Sequence, residues 1–327
     1  MADNGNQIHE VADHGHWDHW SSVANSENRK KNAGHIKQTK FKSILESNNL
    51  DKKALKILSI GPGDGILDEI LVKESQLDVT LYYAVDPVET EYHSKLEENV
   101  KTWKVPYAIE KKSFNENYSP PQNILVTYPD GSTESLKEND QNGRNEEVIP
   151  GERFVSSSDM IQGAIGMFDV ILMASVLYYV DYPGLTIQNA RSMLSQGGRI
   201  IIFNQTEEVG AELYALMAQT SSIEFREQTS NYALSHLGII RELDDLNIPY
   251  KCEINKDEVL CYDVTDYLKN GTPLPYFSFQ TQKPFEKWTD EQRRGIYEIV
   301  EKRSFVSEKG RNLLPEDIAT IVVGSMN

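Results

Sequence analysis

Apolar and polar positions alternate along this chain in blocks that predict strands and helices in turn. Leu55 to Ile60 is a short apolar run that predicts a buried strand, and the glycine-rich segment Gly61 to Gly65 interrupts it. The apolar residues that come next recur at helical spacing: Ile66, Leu67, Ile70 and Leu71. The pattern therefore predicts a strand, a glycine loop and a helix in succession.

The same unit is repeated further along the chain. The predicted strands lie at residues 79–85, 105–109, 168–173 and 199–204, and the predicted helices between them lie at 88–100 and 183–194. Strands that alternate with helices predict an α/β fold in which helices cover both faces of a parallel sheet.

The regular alternation of strands and helices does not extend to the two ends of the chain. A helix is predicted before the first strand, from apolar residues at helical spacing: Ile36, Phe41, Ile44 and Leu45. After residue 205 the pattern predicts a helix at 231–246 with Thr229 or Ser230 as its N-cap, a strand and short helix within 254–268, a helix at 288–302 and a final strand at 318–323. We therefore expect an N-terminal helical segment at 1–50, a core at 51–205 and a C-terminal part at 206–327.

One long segment interrupts the predicted core. Residues 115–159 are rich in Pro, Asn, Ser, Glu and Gly. Such a composition is typical of chain that buries little apolar surface. We expect an extended and partly disordered insertion there.

The charge of the chain favours some partners and excludes others. It has 327 residues with 50 acidic and 33 basic side chains, for a formal net charge of -17. Nucleic acids and anionic membranes would be repelled, whereas a cationic small molecule would be attracted. The single compact basic cluster is Arg29 to Lys31.

Other features point to a soluble protein of the cytoplasm. The polar N-terminus lacks the apolar core of a signal peptide, and no run approaches the roughly 20 apolar residues that span a bilayer. Cys252 and Cys261 do not form a CxxC pair and are expected to be reduced. We expect a cytoplasmic monomer.

The spacing of the glycines indicates which ligand the loop binds. A dinucleotide fingerprint has Gly at the first, third and sixth positions, but the glycines here are Gly61, Gly63 and Gly65, and Ile66 occupies the sixth position. This spacing resembles that of class I methyltransferases, in which the amino-acid end of S-adenosylmethionine occupies the loop. A tight turn without a ligand is the simpler alternative.

Two further strand ends lie where a ligand of such a sheet would bind. Asp86 ends the second strand, where a carboxylate can accept hydrogen bonds from the ribose hydroxyls of an adenosine, or can merely cap a helix. The segment from Ala174 to Val180 follows the fourth strand, and Ser175 and Tyr179 are its best candidates for a ligand pocket. Leu177, Tyr178 and Val180 can equally pack against the next helix.

Taken together, these motifs resemble the histamine N-methyltransferase family. The resemblance is carried by the segments 56–65, 85–87, 176–180 and 318–323 and by Asp13 to Trp17, and it covers most of the chain outside 115–159. It implies a Rossmann-like class I methyltransferase fold with a seven-stranded, mostly parallel sheet and a smaller substrate-binding lobe. It also implies S-adenosylmethionine as cofactor, S-adenosylhomocysteine as product, and N-methylation of a small amine or imidazole.

The same resemblance assigns roles to individual residues. The implied cofactor contacts are Gly61, Gly63, Gly65, Asp86, Glu91, Ala174 and Ser175. The implied substrate contacts are Trp17, Glu27, Ser175, Phe279 and Glu316, and the residues expected to act on the substrate are Glu27, Tyr179 and Glu316.

This chain departs from the family pattern at three places. Ser175 stands where the histamine enzyme has Gln, so a hydrogen bond to an imidazole ring would be missing. The family's C-terminal substrate Asn falls at Glu316 or, equally, at Asp317, and the 115–159 insertion has no counterpart. These departures favour an acceptor other than histamine.

Alternative functions follow from the same sequence. An NAD-dependent oxidoreductase is disfavoured by the absence of a sixth-position Gly, whereas oxygen, sulfur or carboxylate acceptors and a non-catalytic ligand-binding protein stay open. His14, His16 and His19 are compatible with a metal site, but methyl transfer requires none and we predict no metal. Glu27 can also be a solvated surface residue, and Trp17 can be part of a packed helix.

Overall fold

Strands and helices alternate along most of the chain in a computed structural model that describes residues 27–87, 91–118, 123–137, 166–206, 209–220, 234–256, 260–281 and 283–325. The strands are β1 (Leu55–Ile60), β2 (Val79–Val85), β3 (Tyr107–Glu110), β4 (Asn123–Thr127), β5 (Thr133–Lys137), β6 (Phe168–Ala174), β7 (Leu194–Gln205), β8 (Tyr250–Asn255), β9 (Tyr262–Asp263), β10 (Phe305–Val306), β11 (Asn312–Leu314) and β12 (Ile318–Gly324). The helices are α1 (Glu27–Ser47), α2 (Ile66–Asp68), α3 (Glu91–Lys101), α4 (Pro183–Ser192), α5 (Gly210–Thr220), α6 (His236–Asp245), α7 (Thr265–Asn270), α8 (Pro275–Thr281) and α9 (Asp290–Arg303).

Nine of these strands form one sheet in the order β5-β4-β3-β2-β1-β6-β7-β12-β8, and β10, β11 and β9 form a small separate sheet. Strands β3, β2, β1, β6 and β7 are parallel to one another. The mixed α/β class and the mostly parallel sheet confirm the predicted fold. Among the described residues this sheet has nine strands rather than the predicted seven.

The central strands are buried because their apolar residues leave no polar face. Almost every residue of β1, β2 and β6 is buried. Parallel strands that are covered on both faces have such continuous apolar sequences. These three strands therefore form the centre of the core, and their carboxyl ends are held at one edge of the sheet.

The two additional strands come from the segment that we expected to be a poorly packed insertion. Strands β4 and β5 pair antiparallel as a hairpin, and β4 pairs antiparallel with β3. Ile124 and Val126 are buried while Leu125 between them is exposed. Residues 123–137 therefore bury more apolar surface than their composition predicted, because alternation over only five residues is enough to bury one face of an edge hairpin.

The helix after the glycine loop also differs from its prediction. Helix α2 continues into a π-helical turn at Glu69–Lys73, in which the N–H of Glu74 donates to the carbonyl of Glu69. Ile70 and Leu71 are buried as predicted, but Ile66 is only half-buried and the charged Asp68 is almost completely buried. The spacing of apolar residues located this helix but did not identify all of its inward-facing residues.

Elsewhere the predicted elements are found with shifted ends. The strand and short helix expected within 254–268 are β9, at Tyr262–Asp263, and α7, at Thr265–Asn270, and the helix expected at 231–246 is α6. Strand β8, at Tyr250–Asn255, was not predicted. The proposed N-caps of α6, Thr229 and Ser230, lie outside the described residues. In the described part of the chain no helix is long and apolar enough to cross a membrane.

The chain divides into two units. One contains the described residues of 34–204, 239–253 and 320–325, and includes β1 to β6 and the glycine loop. The other contains the described residues of 27–33, 205–238 and 254–319 and has its own apolar core, to which Leu213, Tyr267, Phe277 and Ile296 belong. The expected division at residues 50 and 205 stays a prediction.

Burial of β4 predicts the effect of shortening its side chains. Val126→Ala should lower the free energy of unfolding by about 2 kcal/mol, because Val126 is 2% exposed and the change removes buried apolar surface. Leu125→Ala is the matched control, since Leu125 is 61% exposed, and it should change the free energy by less than about 0.5 kcal/mol. Urea denaturation measures both, and equal effects would contradict the packed hairpin.

Candidate functional site

The loop between β1 and α2 has a backbone that only glycine adopts easily. Gly61, Gly63 and Gly65 all have positive φ, at 63°, 60° and 76°. At two of them a side chain would also collide: a Cβ on Gly61 would lie 2.3 Å from Val176 Cγ2, and one on Gly65 would lie 2.6 Å from Leu96 Cδ1. Packing against the stiff, β-branched Val176 therefore leaves no room for a side chain at Gly61, whereas at Gly65 the end of the Leu96 side chain would have to shift.

Gly63 is different because it faces open space. A Cβ at this position would meet no atom within 4 Å. Packing therefore does not explain a glycine here, although its positive φ does. A backbone without a side chain beside open space is what close approach by a ligand requires.

Asp86 is joined directly to this loop. Its carboxylate Oδ2 accepts a hydrogen bond from the N–H of Gly63 at 3.0 Å, and its own N–H donates to the carbonyl of Glu110 at 3.0 Å. The N–H of Gly61 donates to the carbonyl of Val85 at 2.8 Å. The ends of β1, β2 and β3 are thus connected, and Asp86 is held at the glycine loop with only 5% of its surface exposed.

The turn after β6 brings a third strand end to the same edge of the sheet. Ala174 is half-buried, and Ser175 is exposed with a φ of 55°. The N–H of Ser175 donates to the carbonyl of Phe203 on β7 at 2.8 Å. A non-glycine residue with positive φ is uncommon and is enriched at functional sites. Tyr179 lies in the 3₁₀ turn that follows and is 39% exposed, with its ring 4.5 Å from that of Tyr178.

A carboxylate that was not predicted from the sequence lies at the end of β3. Glu110 accepts hydrogen bonds on Oε2 from the hydroxyls of Tyr83 and Tyr118, both at 2.5 Å. Burial, followed by the bond to Glu110, raises the pKa of Tyr83 far above its ordinary value, so this phenol stays a donor. The available signal was a single Glu at the end of a predicted strand.

A second missed carboxylate lies in the helix after the loop. Asp68 is 2% exposed, and its Oδ2 accepts a hydrogen bond from Tyr82 Oη at 2.6 Å. Burial raises the pKa of Asp68 to about 6, against the lowering effect of hydrogen bonds from Ser59 and Tyr82. Nothing in the periodicity distinguished this Asp from a surface residue.

Candidate substrate residues belong to the other unit. Glu316 is half-buried and accepts a hydrogen bond from Tyr262 Oη at 3.3 Å, and the ring of Tyr262 stacks on that of Tyr276 at 3.8 Å. Asp317 is more deeply buried, and its Oδ2 lies 3.5 Å from Lys256 Nζ. These environments distinguish two residues between which the sequence left the choice open.

Four of the predicted residues have no described side chain. Glu27 begins α1, Glu91 begins α3, and Phe279 lies within α8, but only their backbone is described. Trp17 lies outside the described residues altogether. Their roles stay predictions.

Comparison with known proteins gives a family match over much of the chain. A family model described as a methyltransferase domain matches residues 24–238, about two thirds of the sequence. No curated protein matches the chain in sequence. The match includes β1, the glycine loop, Asp86 and the turn after β6.

Solved structures resemble the chain at low sequence identity. The YcgJ protein from Bacillus subtilis is 12% identical, with 84% of this chain and 92% of that chain covered and a TM-score of 0.46. The plantazolicin methyltransferase BamL, solved with a triazolic desmethylPZN analogue and SAH, is 10% identical, with coverages of 96% and 91% and a TM-score of 0.46. A SAM-dependent methyltransferase from Aquifex aeolicus is 15% identical, with coverages of 65% and 81% and a TM-score of 0.37.

The collision at Gly61 predicts a difference between two glycines of the loop. Gly61→Ala should lower the free energy of unfolding by about 3 kcal/mol, from the left-handed backbone and the contact with Val176, whereas Gly63→Ala should cost only about 1 kcal/mol. Adding Val176→Ala to the Gly61→Ala protein should raise its free energy of unfolding again by about 1 kcal/mol or more, because the change removes the colliding methyl group. Urea denaturation tests this. Equal costs at both glycines, or no recovery, would contradict the assigned contact.

Proposed function

Since the chain belongs to the methyltransferase domain family, whose model matches residues 24–238, its methyl donor is S-adenosylmethionine, and we propose that it methylates a nitrogen of a small amine or imidazole. The observation that carries the placement of the cofactor is the link between Gly63 and Asp86, which joins an open loop backbone to a carboxylate at the adjacent strand end.

The residues at this edge of the sheet fit the chemical groups of the cofactor. The open space at Gly63 admits an amino-acid moiety next to the backbone, and Asp86 is an acceptor for the ribose hydroxyls. Because Asp86 Oδ2 is bonded to the N–H of Gly63, ribose binding and the loop conformation depend on the same carboxylate. Ala174 ends β6, the strand on the other side of β1, and Ser175 follows it. Glu91 begins α3, the helix after β2.

When bound, the cofactor supplies a methyl group on a cationic sulfur, which an attacking nitrogen lone pair displaces as a thioether. The protein does not need to form a covalent bond, so its contribution is to hold the acceptor nitrogen neutral and in line. Ser175 and the exposed Tyr179 are the side chains at the strand end that we assign to this task. Neither has to remove a proton from an imidazole before it attacks, because an imidazole is largely neutral near pH 7.

Glu316 is the described residue best suited to hold the cationic part of an amine. Glu316 is half-buried, and its carboxylate accepts a hydrogen bond from Tyr262. The ring of Tyr262 in turn stacks on the ring of Tyr276. Carboxylates and aromatic rings together bind ammonium groups. The net charge of -17 also favours a cationic substrate over an anionic one. We assign Glu27, Trp17 and Phe279 to the same substrate site.

Transfer of labelled methyl groups from S-adenosylmethionine to a panel of amines and imidazoles, including histamine and carnosine-like dipeptides, tests the proposal. We expect turnover with at least one of them. Asp86→Ala should weaken cofactor binding in calorimetry more than tenfold, because the ribose would lose a charged acceptor worth about 1.5–3 kcal/mol. Binding without turnover on amines but with turnover on alcohols, thiols or carboxylates would contradict nitrogen methylation. An unchanged affinity in Asp86→Ala would contradict the ribose assignment.

Glu316→Gln tests the amine contact once an acceptor is known. Its KM for the amine should rise by about tenfold with kcat within about threefold, because a charge-assisted hydrogen bond is lost without disturbing the cofactor. Asp317→Asn is the matched control: it removes a neighbouring charge that lies near Lys256 and should leave KM within about twofold. Glu27→Gln, measured in parallel, should resemble Glu316→Gln. An effect of Asp317→Asn as large as that of Glu316→Gln would contradict the assignment of Glu316.

A further inference from the structure

Asp68 occupies a position where a charge is not needed to hold the fold together. It lies in the first turn after the glycine loop and accepts hydrogen bonds from Tyr82 on β2 and Ser59 on β1. An asparagine could accept the same two bonds through its amide oxygen. The charge of the carboxylate therefore requires a separate explanation.

The buried charge is unfavourable for stability. Burial raises the pKa of Asp68 to about 6, above the value of about 3.9 in an unfolded chain. Between these two values the folded protein binds more protons than the unfolded one, so stability falls as the pH rises through this window. At neutral pH the protein therefore holds an ionised carboxylate that weakens the fold.

Asp68 is also connected to both elements that we assign to the cofactor. Ser59 lies on β1 shortly before Gly61, and Tyr82 lies on β2 shortly before Asp86. The ring of Tyr82 is fixed by edge-on packing against Trp103 at 4.9 Å. Ser59, Asp68 and Tyr82 are thus connected to one another on the strands and the helix that adjoin the glycine loop and Asp86.

Three carboxylates are concentrated at this loop. Asp64 lies within it, Asp86 is bonded to it, and the charges of both act on Asp68 and raise its pKa. S-adenosylmethionine carries a sulfonium cation that S-adenosylhomocysteine lacks. A negative charge in a poorly solvated place favours the cation over the neutral thioether.

We propose that Asp68 is a positioning residue whose buried negative charge strengthens binding of the sulfonium cofactor relative to the thioether product. It acts through the loop and through Asp86 and does not contact the reacting atoms. This inference rests on the proposed placement of the cofactor in the glycine loop. It adds that tighter binding of S-adenosylmethionine than of S-adenosylhomocysteine favours replacement of the product by a new cofactor molecule.

The preference for S-adenosylmethionine over S-adenosylhomocysteine should depend on pH. The polar and charged groups that act on Asp68 are Ser59, Tyr82, Asp64 and Asp86. Burial raises the pKa of Tyr82 well above its ordinary value, so this hydroxyl stays a donor over the whole range of interest. As the pH falls through about 6, Asp68 becomes neutral, and the preference for the sulfonium cofactor should decrease.

Calorimetric titration of S-adenosylmethionine and S-adenosylhomocysteine into the full-length protein between pH 5 and pH 8 tests this. At pH 7.5, Asp68→Asn should bind the sulfonium cofactor about tenfold more weakly and the thioether less than about threefold more weakly. The ratio of the two affinities should fall with decreasing pH in the wild type and should fall less in Asp68→Asn. Titration of the ligands' own amine is common to both proteins and cancels in the comparison.

Two further variants separate the charge from the fold. Glu69→Gln is the matched control, because it removes a neighbouring charge that is paired at the surface with Lys73. Its ratio of affinities for S-adenosylmethionine and S-adenosylhomocysteine should equal that of the wild type. Tyr82→Phe removes a bond that lowers the pKa of Asp68, so the pH midpoint of the ratio should move upward. The ligand-free Asp68→Asn protein should melt at or above the wild-type temperature at pH 7.5, since it lacks the unfavourable charge.

The outcomes that overturn the proposal differ from those that overturn the cofactor site. Equal loss of affinity for both ligands in Asp68→Asn, together with a lower melting temperature, would mean that Asp68 only supports the fold. A wild-type affinity ratio in Asp68→Asn, with binding still weakened by Asp86→Ala, would remove the role of Asp68 alone. Unchanged binding in Asp86→Ala would remove the placement of the cofactor itself.

Discussion

The hydrogen bond from the N–H of Gly63 to the carboxylate of Asp86 is the contact on which the site depends. It joins the turn after β1 to the end of β2, two strands whose apolar residues place them at the centre of the sheet. Gly63 makes this bond with a left-handed backbone, and the same conformation recurs at Gly61 and Gly65. Gly61 also has no room for a side chain beside Val176, and a side chain at Gly65 would displace the end of Leu96.

Three carboxylates, Asp68, Asp86 and Glu110, lie near the edge of the sheet that contains this bond. Asp86 and Asp68 are both buried, and Glu110 is held by two phenols at the next strand end. Buried carboxylates of this kind are unfavourable unless hydrogen-bonded donors satisfy them. The described donors include a backbone N–H at Asp86 and tyrosine hydroxyls at Asp68 and Glu110.

Much of the fold could be predicted because its signals are local. The apolar runs of β1, β2 and β6 and the helical spacing after each strand depend only on neighbours along the chain, and the structure confirms the α/β class. The hairpin of β4 and β5 was missed, since its burial depends on pairing with the edge of β3. The buried position of Asp68 was missed for a related reason: its hydroxyl partners are on two different strands.

By itself, the sequence determined the order of strands and helices along most of the chain, the glycine spacing that argues against a dinucleotide loop, and the acidic residue that ends β2. Only the tertiary structure decided that Gly63 faces open space while Gly61 and Gly65 are packed, and that Glu316 and Asp317 have different surroundings. The reason is physical: periodicity reports which face of an element is apolar, whereas the burial and protonation of a polar side chain depend on partners that are distant in sequence.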